Sequence, residues 1–518
     1  MKKLSKYWFV FLAMFIAAPG HAETWYRADT HHFTIFSDGQ EKQLEEFAHE
    51  AEKFDALMRL AFQVRPEADP AKLNIYLVSS ADDVQKLVDM NNIAGIYFAR
   101  TDGSFAISNR QKTRSRDRLS GKRTLFHEYA HHFMFNNLHV PAPAWLVEGF
   151  AEFVATAEFK KNGEWYFGKP AFHRAAEIEY APRIPIDLLL TVRPSQIKGD
   201  GASAFYGWSW ALTHMLYLES PEAGKQVDRY LRRINRGETS LDAARAEFGD
   251  LDELEKELRG YVKGRMTFKK SNLALPYRDD VQVTRLSEAE SATLALKLRR
   301  LGGADLAETR DALTAATASG DAEAWYQLGR AEYDLALSAD SAADAEETSP
   351  DFSAARAALK NALAADAEHV HANVLMGELE IARLESMDQP YVEEEWKNAR
   401  RYISKAAELS PRDPYALFAL AQSYSRRGHR DAVVSPSLKT AFERAPESRE
   451  IRFAYAIDLA NNGQFEAAIQ LLSILANDPH GGDAGRDAIR RIEAMRDGST
   501  ILATDIAPVI GETSDEAD

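Results

Sequence analysis

The chain contains no cysteine. Disulfide staples, thiolate metal sites and a lipidated-cysteine anchor are therefore excluded together, and any bound metal must be held by histidine and carboxylate. Net positive charge is also lacking: 63 Lys and Arg stand against 79 Asp and Glu, a formal net charge of -16. That balance argues against nucleic acid as the main partner. Beyond residue 18 no stretch matches the roughly 20 apolar residues that cross a bilayer.

What is present begins with Lys2, Lys3 and Lys6, an apolar run from Tyr7 to Ala18, and the small-residue exit Pro19-Gly20-His21-Ala22. This pattern predicts a secretory signal over 1–22, cleaved after Ala22. The expected mature protein is periplasmic or secreted from a bacterium, with no stable membrane insertion. At 518 residues the chain exceeds one ordinary core, so several domains are expected.

From 23 to about 115, the runs Phe33–Phe36, Leu73–Val78 and Gly95–Phe98 read as strands, interleaved with helical patterns at 41–62 and 81–90. The segment 96–107 alternates around Asp102-Gly103, a hairpin signal. The stretch Arg110 to Arg123 is basic and reads first as a solvated loop, with attraction of acidic substrates or anionic surfaces as the functional alternative. Apolar spacing then becomes mostly helical from about 121 to 262.

A repeat follows. The set Ala355, Leu359, Ala362, Ala367 recurs as Ala399, Ile403, Ala406, Pro411, then Val434, Leu438, Ala441, Pro446, then Ala467, Leu471, Ile474, Pro479. The steps are 44, 35 and 33 residues, the last two near the tetratricopeptide period. An insertion around Arg383 to Glu395, interrupted by Pro390, accounts for the long first step. Trp325, Leu328 and Gly329, and later Leu417, Leu420, Ala421 and Tyr424, fit the preceding helices. Over about 320–480 the chain resembles tetratricopeptide proteins, which implies stacked helix pairs that bind peptides or partner proteins. The acidic insert 340–351 and the tail Glu512 to Asp518 read as solvated.

The chemistry concentrates in Thr124 to Phe135. His127 and His131 stand one helical turn apart on one face, so both imidazoles can reach one ion. Glu128 sits beside them, placed to take a proton from metal-bound water. Phe126, Ala130, Phe133 and Met134 supply the apolar spacing of a buried helix. Downstream, Glu148 and Glu152 lie one turn apart on an otherwise apolar helix, where unpaired carboxylates would be costly. Two buried acids facing two buried histidines explain each other.

HExxH followed by W-L-x-E-G-x-A-E resembles the gluzincin (peptidase MA-like, thermolysin-related) zinc metallopeptidases over about 23–262. The resemblance implies zinc held by His127, His131 and Glu148, Glu128 as general base, and Glu152 orienting a zinc-bound histidine. The extended HExxHxxGxxH form does not fit, because Met134 and Asn137 occupy the glycine and histidine positions. His132 and His139 are therefore not expected as ligands. Tyr206 and His214, sharing a face at i and i+8, are the candidate oxyanion donors.

The expected architecture is a 1–22 signal peptide, a 23–265 α+β zincin-like peptidase domain, a 266–286 linker, a 287–500 all-α tetratricopeptide-like solenoid and a 501–518 acidic tail. The expected activity is zinc-dependent hydrolysis of peptide bonds in exported or envelope proteins, with the repeats binding substrate or partner proteins. A substrate strand could pair with the sheet edge near 95–108. The alternatives are a catalytically silent periplasmic scaffold or chaperone-like binding protein, and a chaperone-protease that cleaves faulty assembly intermediates.

Overall fold

The structure is a computed structural model that describes residues 24–65, 71–91, 93–111, 120–137, 141–199, 201–219, 221–303, 305–341, 350–386, 392–425, 431–479 and 482–496. The signal segment, 112–119 of the basic stretch, His139, Pro390, 342–349 of the acidic insert and the acidic tail lie outside these residues. Among the described residues, no helix is long and apolar enough to cross a membrane.

The N-terminal unit is built on strands β1 (Tyr26–Asp29), β2 (Phe33–Ser37), β3 (Leu73–Val78), β4 (Gly95–Phe98) and β5 (Phe105–Asn109). Helices α1 (Glu41–Phe62) and α2 (Ala81–Val88) connect them. The sheet order is β4-β5-β3-β2-β1 with a late strand, β9 (Gln282–Arg285), beside β1; β2–β3 and β3–β5 are parallel and the remaining pairs antiparallel. Period-two alternation puts Phe33, Ile35, Ile75, Leu77 and Ala106 into the core that also contains Phe54, Leu57, Phe126 and Phe133. The opposite face, with Tyr76, Val78, Phe105 and Ile107, packs on Val84 and Val88 of α2 and on Leu294 and Leu298. Covered on both sides, the strands read as nearly continuous apolar runs.

Helices α3 (Gly121–Asn137) and α4 (Ala144–Ala155) follow, then β6 (Glu158–Phe159) and β7 (Trp165–Phe167). The rest is α5 (Ala175–Tyr180), α6 (Ile186–Leu189), α7 (Gly201–Leu218), α8 (Pro221–Asn235), α9 (Ser240–Phe248) and α10 (Leu251–Tyr261). The 266–286 segment expected as a linker instead carries β8 (Lys269–Ser271), which pairs with β7, and β9 (Gln282–Arg285), which pairs with β1. Their alternation is too short and too exposed to stand out locally; the strands exist because neighbouring edges offer backbone partners.

Helices α11 (Glu288–Gly302), α12 (Leu306–Ala316), α13 (Ala322–Ser341), α14 (Ser353–Ala365), α15 (Val370–Ser386), α16 (Glu393–Leu409), α17 (Pro414–Ser425), α18 (Val434–Arg444), α19 (Arg449–Asn461), α20 (Phe465–Asn477) and α21 (Gly482–Arg496) form a helical repeat region. Ser287 and Glu290 make a capping box at the start of α11, and Gly303 closes its end with φ 83°. The long first repeat step is spent on longer helices: α15 and α16 have 17 residues each, against 12 in α17 and 11 in α18.

The last repeat is registered one residue later than its apolar pattern suggests. Ala468, Leu472 and Leu475 are buried in α20, together with the expected Ile474, whereas Ala467 and Leu471 are only half-buried. Ala468, Leu472 and Leu475 stand 34 residues after Val434, Leu438 and Ala441 respectively, the tetratricopeptide period itself. Apolar residues on both faces of α20 hid the register.

Candidate metal centre

Helix α3 carries its functional residues on the side turned toward α4. Gly149 sets the depth of α4 against α7: a Cβ there would lie 2.3 Å from the Ser209 carbonyl oxygen. Only glycine permits that approach, and it holds Glu148 at a fixed height opposite the histidines.

His127 Nε2, His131 Nε2 and a Glu148 oxygen converge. The nitrogens are 3.1 Å apart, and Glu148 Oε2 lies 3.4 Å from the first and 3.5 Å from the second. Glu148 is fully buried, and the two imidazoles are nearly so. The carboxylate separations are too long for charge-assisted hydrogen bonds, which run about 2.7–2.9 Å. Four tetrahedral ligands at zinc bond lengths of about 2.0–2.1 Å stand about 3.3 Å from one another. Two imidazole nitrogens and one carboxylate oxygen, with those separations, fit zinc in donor type and spacing.

Glu152 lies behind this triangle. Its Oε1 is 3.0 Å from His127 Nδ1, so the acid can hold that proton and leave Nε2 directed at the ion site. Burial opposes protonation of His127, but Glu148 and Glu152 outweigh it and lift the pKa to about 10. The pocket therefore favours a positive charge at its centre.

Glu152 itself is gripped by residues that no local motif announced. His173 Nε2 is 2.8 Å from Oε2, and Arg174 Nη2 is 2.6 Å from Oε1. Burial would raise the Glu152 pKa, but Arg174, His127 and His173 hold it well below the usual carboxylate range. Arg174 also spans to Glu177 at 2.8 Å and lies over the Tyr206 ring, 5.1 Å from its centroid. His173 and Arg174 sit in a single 3-10 turn, and only the fold brings them to α4.

Of the two oxyanion candidates, Tyr206 is at the site, its ring centroid 6.5 Å from that of His127. His214 is engaged elsewhere: Nδ1 is 2.7 Å from the Tyr261 hydroxyl and Nε2 is 2.9 Å from the Gly168 carbonyl. Burial lowers its pKa to about 4 despite the Gly168 bond, so it is a neutral packing residue. The i, i+8 spacing drifts around the helix, which separates the two residues that shared a face on paper. His132 points away from the triangle to Tyr97 of β4, 3.0 Å from its hydroxyl, and to Asn136 at 2.7 Å. Glu128 is half-buried next to His127.

No known protein family matches the chain, and no curated protein matches it. Among solved structures it is similar to a thermophilic TPR protein of Thermus thermophilus, at 19% identity and a TM-score of 0.32 over 39% of this chain and 99% of that one. So loose a likeness carries no argument; the repeats rest on this chain's own helix pairs.

Proposed function

We propose that the protein is a zinc-dependent peptidase of gluzincin type, acting on exported proteins. The observation that carries this reading is the convergence of His127, His131 and Glu148, with Glu152 Oε1 3.0 Å behind His127 Nδ1. Zinc, when bound, supplies a polarised carbonyl and a water acidified toward neutrality. Glu128 accepts a proton from the attacking water and passes it to the leaving amine. Glu152 keeps His127 in the tautomer whose Nε2 faces the ion. Tyr206 donates a hydrogen bond to the oxyanion. Strand β4, at one edge of the six-stranded sheet, is available in principle to an extended substrate.

Purified protein is expected to contain about one zinc per chain and to cleave members of a diverse peptide library in a chelator-sensitive way. Zinc-loaded protein that cleaves nothing would favour the scaffold reading.

Glu152→Gln should be milder than loss of a ligand or of the base. The amide can still accept from His127 but loses its charge against Arg174 and His173. Zinc affinity or activity is expected to fall about 10- to 100-fold, read by competition with a zinc-responsive dye and by kcat/KM. Wild-type values in both would remove Glu152 from the site.

A further inference from the structure

Arg174 joins three elements around the metal centre through one guanidinium. Its Nη2 donates to Glu152 Oε1 of α4 at 2.6 Å, and its Nη1 donates to Glu177 Oε1 of α5 at 2.8 Å. The guanidinium carbon lies 5.1 Å from the centre of the Tyr206 ring of α7, within the reach of a cation–π contact. The backbone is seated as closely as the side chain. A Cβ on Gly207 would stand 3.1 Å from Ile178 Cγ1 and 3.5 Å from the Arg174 carbonyl oxygen, so the turn carrying Arg174 rests on α7 directly beside Tyr206.

These contacts hold a segment with little apolar anchorage of its own. No residue of the turn Phe172–Arg174 or of α5 is fully buried, and Phe172 and Tyr180 are exposed. The order of 172–180 therefore depends on its polar grip on the site. The dependence also runs the other way. Glu152 Oε1 faces His127 Nδ1 at 3.0 Å, while Oε2 is taken by His173 Nε2 at 2.8 Å. Without Arg174 the carboxylate can pivot on its His173 bond and carry Oε1 off its line with His127. The same loss takes the cation from the face of the Tyr206 ring, whose centroid is 6.5 Å from that of His127. A displacement of about 1 Å in a positioned group is enough to cost roughly 100-fold in rate.

We infer that Arg174 is a positioning residue common to both halves of the site: it sets the acid that orients His127 and the tyrosine that meets the oxyanion as one unit, and 172–180 is the clamp that delivers it. The part played by Tyr206 rests on the peptidase reading, whereas the link from Arg174 through Glu152 to His127 rests on the metal site alone. An acid and a tyrosine placed independently would each lose activity separately when disturbed. Placed through one guanidinium, they lose it together.

The test is a pair of double-mutant cycles in the full chain. Arg174→Gln should lower zinc affinity and kcat each about 10- to 100-fold, with KM nearly unchanged. Combined with Tyr206→Phe, and separately with Glu152→Gln, it should retain at least about fivefold more activity than the product of the two single losses allows. Arg174→Lys keeps a charge for Glu152 but cannot fork to Glu177 and cover Tyr206, so it should hold zinc as wild type does and still lose kcat. In the metal-free protein, Arg174→Gln should speed amide hydrogen exchange over 172–180 and 202–208 and leave the repeats unchanged. Additive losses in either cycle, zinc affinity that falls in Arg174→Lys as far as in Arg174→Gln, or unchanged exchange would make Arg174 a local packing residue and overturn the inference. Wild type that holds zinc and cleaves nothing would end the peptidase reading instead, with zinc affinity and exchange deciding the role of Arg174. If Arg174→Gln does not fold, Arg174→Lys carries the cycle with Tyr206.

Discussion

Glu128→Gln is expected to lower peptide hydrolysis at least about 100-fold, the low end for loss of a general base, while zinc content, helix content and thermal midpoint stay as in wild type. The substitution is nearly isosteric and leaves His127, His131, Glu148 and Glu152 untouched. It removes only the carboxylate that accepts the water proton. Because binding of the substrate ground state is not impaired, the loss should fall mainly on kcat rather than KM. Steady-state kinetics on the best library substrate, alongside zinc analysis, check both points. Hydrolysis by Glu128→Gln at the wild-type rate would end the catalytic reading, with the scaffold reading taking its place.

His131→Ala should abolish stoichiometric zinc and with it all hydrolysis, because a catalytic zinc has three protein ligands and the two that remain do not hold it in a defined geometry. The comparison with His132→Ala is informative, since the two histidines are adjacent and equally buried. His132 bonds Tyr97 and Asn136, and burial followed by Arg59 and His32 lowers its pKa to about 3, so it is a neutral strut to β4. His132→Ala should keep its zinc and lose stability instead. Added zinc should raise the thermal midpoint of metal-stripped wild type and of His132→Ala, but not of His131→Ala, since a ligand stabilises only a state that binds it. Zinc retained by His131→Ala would show that the ligand set is wrong.

The two histidines and two acids were legible because helical spacing is local. His127 with His131, and Glu148 with Glu152, each repeat at one turn, and the apolar residues around them mark the helices as buried. Strands β2 to β5 of the six-stranded sheet were legible for the same reason, as was the repeat, whose small and apolar positions recur on a fixed period. Where a helix was apolar on both faces, as in α20, the pattern named the element but not its face.

Local pattern alone determined the kind of protein this is: a metal-competent helix pair in a mixed α and β unit, followed by helical repeats. Contacts between residues distant in sequence were decided only by the tertiary structure. His173 and Arg174 reach Glu152 across 21 and 22 positions, and Ser104 reaches Glu447 across 343. Strands β8 and β9 acquire their structure from edges formed much earlier in the chain. A side chain's neighbours within one turn follow from backbone geometry, and so are written in the spacing of the sequence. Neighbours across a packed interface depend on how whole elements dock, and no periodicity in either segment records that.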